Sequence, residues 1–356
     1  MKRCIRCVVP ETYPGVSFDE RGVCNFCNAT RHQEPIGEEA LLRKLSSKKG
    51  SRYDCVLGIS GGKDSCYVAY LARKRYGLKA VAVCYDFPFM RNLARQNVRN
   101  VCRALDLELV VVHSKNRLEY DLLRNHLMSL APTGTTWGQC IFCHYGIDAI
   151  LHATAREKDA PFILSGTTSS ELWWNPGNRT HLLMRHVKSL PLKELMQFAR
   201  YQLKAYANLV DQRRQFKLPG NRLLDVYRHP LWPRDGPEQV RVFEYVRWDH
   251  RTMERTLTEE TGWVRPEDSC SWRYDCILEP LLDFTYMKEF GISTSGLYLS
   301  SLIRSGLMGR DEAMAILEER EDRTRLDREL RHVLDFLDVP SDIRKQYLQA
   351  DVEPGD

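Results

Sequence analysis

The stretch best equipped for chemistry is Ser60-Gly61-Gly62-Lys63-Asp64-Ser65. Its glycines permit a sharp turn and close approach of backbone to a ligand. Ser60 and Ser65 add hydroxyls, and Lys63 adds a positive charge. The preceding run from Tyr53 to Ile59 is short, apolar and bounded by charge, which predicts a buried strand. The following run from Cys66 to Ala72 has apolar residues at helical spacing and leads into Arg73, Lys74 and Arg75. It predicts a helix started by Asp64 or Ser65 and stopped at Gly77. A loop joining a strand's end to a helix start offers backbone N–H groups and the positive end of the helix dipole. The segment therefore reads as a phosphate cradle, with an ordinary glycine turn as the plain alternative. It is not a Walker loop, in which the first glycine and Gly-Lys-Ser/Thr stand farther apart. As a loop residue, Lys63 is expected to be exposed and to contribute little stability.

Cysteines supply the second kind of chemistry. Cys4-Ile5-Arg6-Cys7 and Cys24-Asn25-Phe26-Cys27 are two C-x-x-C knuckles framing turn signals at Tyr13-Pro14-Gly15 and Glu20-Arg21-Gly22. Four thiolates fit a closed, tetrahedral, structural Zn2+ site, and so small a ribbon draws its folding free energy from the metal. A redox-active dithiol is the alternative. A second set, Cys140 and Cys143 with the distant Cys276 and the nearby Cys270, fits either an iron–sulfur cluster (a 4Fe–4S cluster with one open iron) or a second zinc. Cys55, Cys66, Cys84 and Cys102 fall on apolar faces and read as small buried hydrophobes.

The elements that must position these groups alternate. Lys79–Asp86 reads as a strand, Asn92–Leu105 as a helix, Leu107–His113 as a strand, Tyr145–Lys158 as a helix and Phe162–Ser165 as a strand. This predicts an α/β fold, a doubly wound parallel sheet whose ligands sit at the C-terminal ends of the strands. Asp86 and His113 end two strands, and Ser165-Gly166-Thr167-Thr168 follows a third. Asp86 is a candidate for ribose or Mg2+, with a helix cap as the alternative. Gly166 and Thr167 suit adenine or phosphate, or an ordinary turn. Helical spacing around Gly306 predicts a helix pair, and Arg323–Leu348 predicts an amphipathic helical region covering the core or an oligomer interface. The expected organisation is a zinc ribbon over 1–30, a linker helix over 31–50, a nucleotide-binding domain over 51–190 and a mostly helical substrate or oligomer region over 191–356.

The chain has 356 residues, with 52 basic against 47 acidic for a net charge of +5. That excess does not demand nucleic acid. No apolar run is long enough to span a membrane, and the N-terminal residues lack the apolar core of a signal peptide, so a cytoplasmic protein is expected.

Ser-Gly-Gly-Lys-Asp-Ser resembles the PP-loop of the ATP pyrophosphatases, or adenine-nucleotide alpha-hydrolases. The resemblance implies that the loop grips the β- and γ-phosphates of ATP while a carbonyl oxygen attacks the α-phosphate, releasing pyrophosphate. Cys4 to Cys27 is similar to the ribbon opening the N-acetyl sugar amidotransferases of lipopolysaccharide biosynthesis. So are Cys140-x-x-Cys143-His144-x-Gly146-Ile147, Trp248-Asp249, Gly262-Trp263, Trp272-Arg273-Tyr274-Asp275-Cys276 and Ile303-Arg304-Ser305-Gly306-Leu307-Met308. That resemblance implies ATP with magnesium, an acetamido sugar as acceptor, and ammonia from a separate glutaminase subunit. Lys63 and Asp64 would be catalytic. Two other readings stand beside it. One is sulfur insertion into a nucleobase, a tRNA or a small metabolite, with Cys140, Cys143 and Cys276 holding a cluster. The other is a tRNA- or partner-binding protein with a non-catalytic nucleotide site, against which the near-neutral charge weighs. A homo-oligomer is expected in either enzyme reading.

Overall fold

A computed structural model describes residues 1–30, 34–48, 50, 52–113, 117–131, 141–168, 187–215, 236–266 and 275–348. Helix α1 (Asn25–Ala29) closes the cysteine ribbon, and α2 (Glu38–Ser46) leads into the sheet. There follow β1 (Cys55–Gly58), α3 (Lys63–Tyr70), β2 (Ala80–Asp86), α4 (Asn92–Ala104), β3 (Glu108–His113), α5 (Leu118–Leu130), α6 (Ile141–Glu157) and β4 (Phe162–Ser165). After α7 (Leu192–Gln215) come β5 (Glu238–Arg241) and α8 (His250–Thr261).

All five strands pair in parallel in the order β3-β2-β1-β4-β5. The expected doubly wound sheet is therefore present. Its central strands are runs of Val, Ala, Leu and Cys because both faces are covered, and β1 and β2 are buried almost throughout. The chain steps outward from β1 to β3, then returns across the sheet to β4 on the other side of β1. Right-handed crossovers then put α3 and α4 on one face and α6 on the other. Helix α6 lies close against the sheet: a Cβ on Gly146 would stand 2.5 Å from the Tyr85 ring, and one on Gly58 would stand 3.2 Å from Leu151. The strand order reverses between β1 and β4, and such a switch point opens a crevice for ligands.

Two sequence expectations shift. Helix α3 begins at Lys63, with Gly62 rather than Asp64 or Ser65 at its cap position. The sheet also extends beyond residue 190, because β5 at Glu238–Arg241 pairs with β4. With only four residues and mixed polarity, β5 gives little periodic signal.

The C-terminal part is helical: α9 (Glu279–Phe290), α10 (Thr294–Arg304), α11 (Arg310–Arg320), α12 (Arg323–Phe336) and α13 (Ser341–Leu348). Helices α10 and α11 flank Gly306, at φ +68°, as the helix pair expected there. Arg320 is 2% exposed and sits among acids, 2.6 Å from Asp283 and 3.1 Å from Glu279. Thr294 and Ser295 also donate to Asp283. Burying such a network requires that every partner be present. Arg320→Met is expected to cost about 3–5 kcal/mol, since it removes the cation shared by two buried carboxylates. The measurement is the urea midpoint; a variant as stable as the wild type refutes the network's role.

Candidate nucleotide and metal sites

The cradle loop leaves β1 at the switch point. Gly61 has φ +82°, and a Cβ there would lie 2.2 Å from the Ala94 carbonyl oxygen, so only glycine fits. The Ser65 hydroxyl folds back, donating to the Gly62 carbonyl at 3.1 Å and accepting from Ser60 N–H at 3.1 Å. Ser60 and Ser65 hydroxyls stand 3.2 Å apart. No side chain caps α3, which leaves the first-turn N–H groups of Asp64 and Ser65 for an anion. The loop after β4 faces the same point: a Cβ on Gly166 would stand 2.9 Å from the Asp64 carbonyl. There Thr167 N–H donates to Ser165 Oγ, whose hydroxyl donates to Thr167 Oγ1, and the buried Thr168 hydroxyl has no partner among the described residues. The structure thus brings Ser60, Gly61, Gly62, Lys63, Asp64, Ser65, Gly166 and Thr167 together.

Lys63 corrects the expectation of an exposed loop lysine. It is 1% exposed, donates to Asp64 Oδ2 at 2.8 Å and lies 5.2 Å from the centre of the Trp248 ring. The Trp248 indole N–H donates to Asp64 Oδ1 at 2.5 Å. Once Gly62 takes the cap position, the Lys63 side chain turns inward beneath a tryptophan far along the chain. Trp263 adds a second tie, donating to the Gly61 carbonyl at 2.9 Å. The buried Asn97 fixes the strap carrying Trp263 by exchanging two 2.9 Å bonds with Val264. Sequence reasoning missed these supports as site residues, although Trp248-Asp249 and Gly262-Trp263 were visible as motifs.

Asp86 is at the end of β2 but is already engaged. It accepts from Arg95 Nε at 2.7 Å and faces His113 Nδ1 at 3.3 Å. Cys276 lies nearer the cradle than its sequence distance suggests. Its backbone bridges Met90 after β2, with Arg91 N–H donating to the Asp275 carbonyl and Ile277 N–H to that of Phe89, both at 2.9 Å. A Cβ on Gly62 would lie 3.8 Å from Asp275 Oδ2. Cys143 stands in the first turn of α6, one turn before Gly146. Cys140 and Cys270 lie outside the described residues, so the second cysteine set is seen here only through Cys143 and Cys276, both half-buried. Cys55, Cys66, Cys84 and Cys102 are buried hydrophobes as expected, and burial first of all pushes the Cys84 and Cys102 thiols up to about 12.

The first cysteine set is a metal-ligand cage. Cys4, Cys7, Cys24 and Cys27 are all buried, with their sulfurs within 4.8 Å of one another. The Cys4–Cys27 and Cys7–Cys24 sulfur pairs stand 3.9 and 3.8 Å apart. A tetrahedron with Zn–S of about 2.3 Å has edges of about 3.8 Å, so the cage fits Zn2+. Backbone N–H groups of Cys7, Cys24 and Cys27 point at sulfurs. Bonds from Cys24 and Cys27, helped by Arg304, hold the Cys7 thiol far below its ordinary value.

Arg304, on α10, reaches the cage from outside, with Nη1 3.7 Å from Cys7 Sγ. Other ties join ribbon and C-terminal helices. Arg3 bonds the Gly291 carbonyl at 3.0 Å and pairs with Glu321 at 3.2 Å, and the Thr12 hydroxyl donates to the Phe290 carbonyl at 2.5 Å.

Comparison with known proteins agrees with this geometry. Residues 38–120 match the NAD synthase family, which covers the cradle, and residues 271–354 match the C-terminal domain of WbpG-like lipopolysaccharide biosynthesis proteins. The chain carries a PP-loop domain. An uncharacterized protein of Methanocaldococcus jannaschii is 27% identical over 118 residues, 31% of this chain and 42% of that one. A second protein of that organism, named "Probable sulfurtransferase", is 23% identical over 153 residues, 40% of this chain and 42% of that one. The chain thus spans 42% of the length of these curated relatives. Among solved structures, the tRNA thiolase NcsA from Methanococcus maripaludis, with its 4Fe–4S cluster, is similar at 15% identity and a TM-score of 0.35, over 92% of this chain and 89% of that one. The NMN synthetase from Francisella tularensis is similar at 13% identity and a TM-score of 0.38, over 80% and 92%. Neither likeness defines the fold; the strand order and loop do. Among the described residues, no helix is long and apolar enough to cross a membrane.

Proposed function

We propose that this PP-loop protein activates an amide oxygen of a small acceptor with ATP and then replaces that oxygen with nitrogen. The observation that carries the reading is the meeting, at one switch point, of the Ser60–Ser65 cradle with Asp275 from the WbpG-like domain. An amide oxygen leaves poorly. When it attacks the α-phosphorus, the bond from that phosphorus to the β-bridging oxygen breaks and pyrophosphate departs. Ammonia then adds to the activated carbon, AMP leaves with the former amide oxygen, and a proton is released. The charge that develops on pyrophosphate would meet the α3 N-terminus, the Ser60 and Ser65 hydroxyls and Lys63, with magnesium held by the phosphates. The acceptor would be an acetamido sugar, converted to an acetamidine, with ammonia delivered by a separate glutaminase subunit. A cytoplasmic homo-oligomer and a zinc in the four-cysteine cage belong to the same proposal.

A second reading, sulfur in place of nitrogen, has its own support. Cys276 directly follows Asp275 beside the cradle, Cys143 opens α6, and one 23%-identical relative is named as a sulfurtransferase. Anaerobic purification with iron, sulfide and zinc analysis separates the two, because colourless protein containing zinc alone supports nitrogen.

The test incubates the full chain with ATP, magnesium, ammonium and an acetamido-sugar nucleotide. AMP and pyrophosphate are expected in equal amounts and only when acceptor is present, with a product in which NH replaces one oxygen by mass. ADP and phosphate as products would sink the proposal, and sulfur in place of oxygen would select the second reading.

A further inference from the structure

Asp275 poses an electrostatic problem. Its carboxylate oxygen faces the Gly62 turn, 3.8 Å from where a Cβ would be, in a loop suited to a polyphosphate. Two anions brought into one crevice repel. Asp64, the other acid of the loop, is already engaged, with Lys63 on one oxygen and Trp248 on the other. The Asp275 side chain has no such partner among the described residues, and the backbone that carries it is held in place. Backbone bonds from Arg91 and Ile277 and a bond from Arg91 Nε to the Cys276 carbonyl, 3.2 Å, fix residues 275–277 against the end of β2. The Thr168 hydroxyl, 7% exposed and without a partner among the described residues, belongs to the loop that abuts Asp64.

A carboxylate whose backbone is held beside a phosphate site favours tight binding when a cation stands between the two. Oxygen ligands shared between a carboxylate and substrate phosphates are the usual surroundings of magnesium. We infer that Asp275 is a protein ligand to the divalent cation that accompanies the nucleotide, so that the C-terminal domain closes the cradle electrostatically. This rests on the nucleotide-binding reading above and deepens it. Without metal, Asp275 repels the triphosphate; with metal, it becomes an attractive contact. The C-terminal domain thereby makes nucleotide binding conditional on the cation.

The experiment is calorimetric titration of the full chain with the α,β-methylene analogue of ATP, which cannot release pyrophosphate. Wild type and Asp275→Asn are compared in excess EDTA and in magnesium. In EDTA the variant is expected to bind more tightly than wild type, and in magnesium more weakly. Each difference should be about tenfold or more, roughly the effect of one neighbouring charge. Manganese bound in the presence of the analogue, counted by its paramagnetic signal, should likewise weaken in the variant. The urea midpoint should hold, because no side-chain partner among the described residues is lost. A variant weaker in both media makes Asp275 merely structural, and identical affinities in both media remove its role; either overturns the inference while leaving the nucleotide site intact. Failure of wild type to bind the analogue in any medium overturns the nucleotide site and this inference with it.

Discussion

Lys63→Ala is expected to abolish acceptor-dependent pyrophosphate release and, in addition, to lower stability. Its ammonium is buried between Asp64 and the Trp248 ring. Removing it leaves Asp64 with the indole N–H and partial solvent contact, at a cost of about 1–3 kcal/mol. The two effects separate in a double variant. Lys63→Ala with Asp64→Asn removes the orphaned charge and should recover most of the urea midpoint while remaining without pyrophosphate release. Recovery of both would make Lys63 a structural cation alone. Wild-type activity in the single variant would remove the PP-loop assignment altogether.

Loss of the ribbon's metal should reach farther than the ribbon. From sequence, changing Cys4 or Cys24 to Ser frees residues up to about Cys27. The ties from Arg304 to Cys7, from Arg3 to Gly291 and Glu321, and from Thr12 to Phe290 predict a wider effect. A structural zinc supplies on the order of 10 kcal/mol to a small metallo-domain, so the variant ribbon should unfold outright. Cys24→Ser should lose one zinc. Hydrogen exchange should quicken in residues 1–30 and also in the segments around Phe290 and Arg304. The strands β1, β2 and β4 should stay protected, since their pairing does not depend on the ribbon. Exchange that rises only within residues 1–30 refutes the coupling, and unchanged zinc content refutes the four-cysteine cage.

The parts legible in the sequence were those whose signals are local. Strand–glycine loop–helix could be read from consecutive residues, as could each C-x-x-C pair, and Phe162–Ser165 matches its strand end to end. What escaped depends on residues distant in sequence. Nothing near Lys63 says that it is buried, because Trp248 covers it from 185 positions away. The nearness of Asp275 to Gly62 arises from a backbone bridge between Met90 and Cys276. Strand β5 is short and mixed in polarity, and it is a strand because β4 offers it a free edge. The place of Asp86 at a strand end suggests ribose, Mg2+ or a helix cap, and says nothing of Arg95 and His113, which pair with it in the fold.

The docking of the ribbon also constrains the order of events during synthesis. The bonds that hold Arg3 join residues 288 and 318 positions apart. Translation at about 5–20 residues per second separates the emergence of such partners by tens of seconds. The proposed zinc could load early, since the outermost of the four cysteines, Cys4 and Cys27, stand only 23 positions apart. It must then wait as a small, loaded module while the sheet is made, and only the last helices give it a surface to settle on. Metal scarcity during that interval would leave the emerging chain with a collapsed N-terminus and an uncovered patch around Phe290 and Arg304. With zinc in the cage as proposed, the vulnerable interval lies between completion of the four-cysteine set and synthesis of α10.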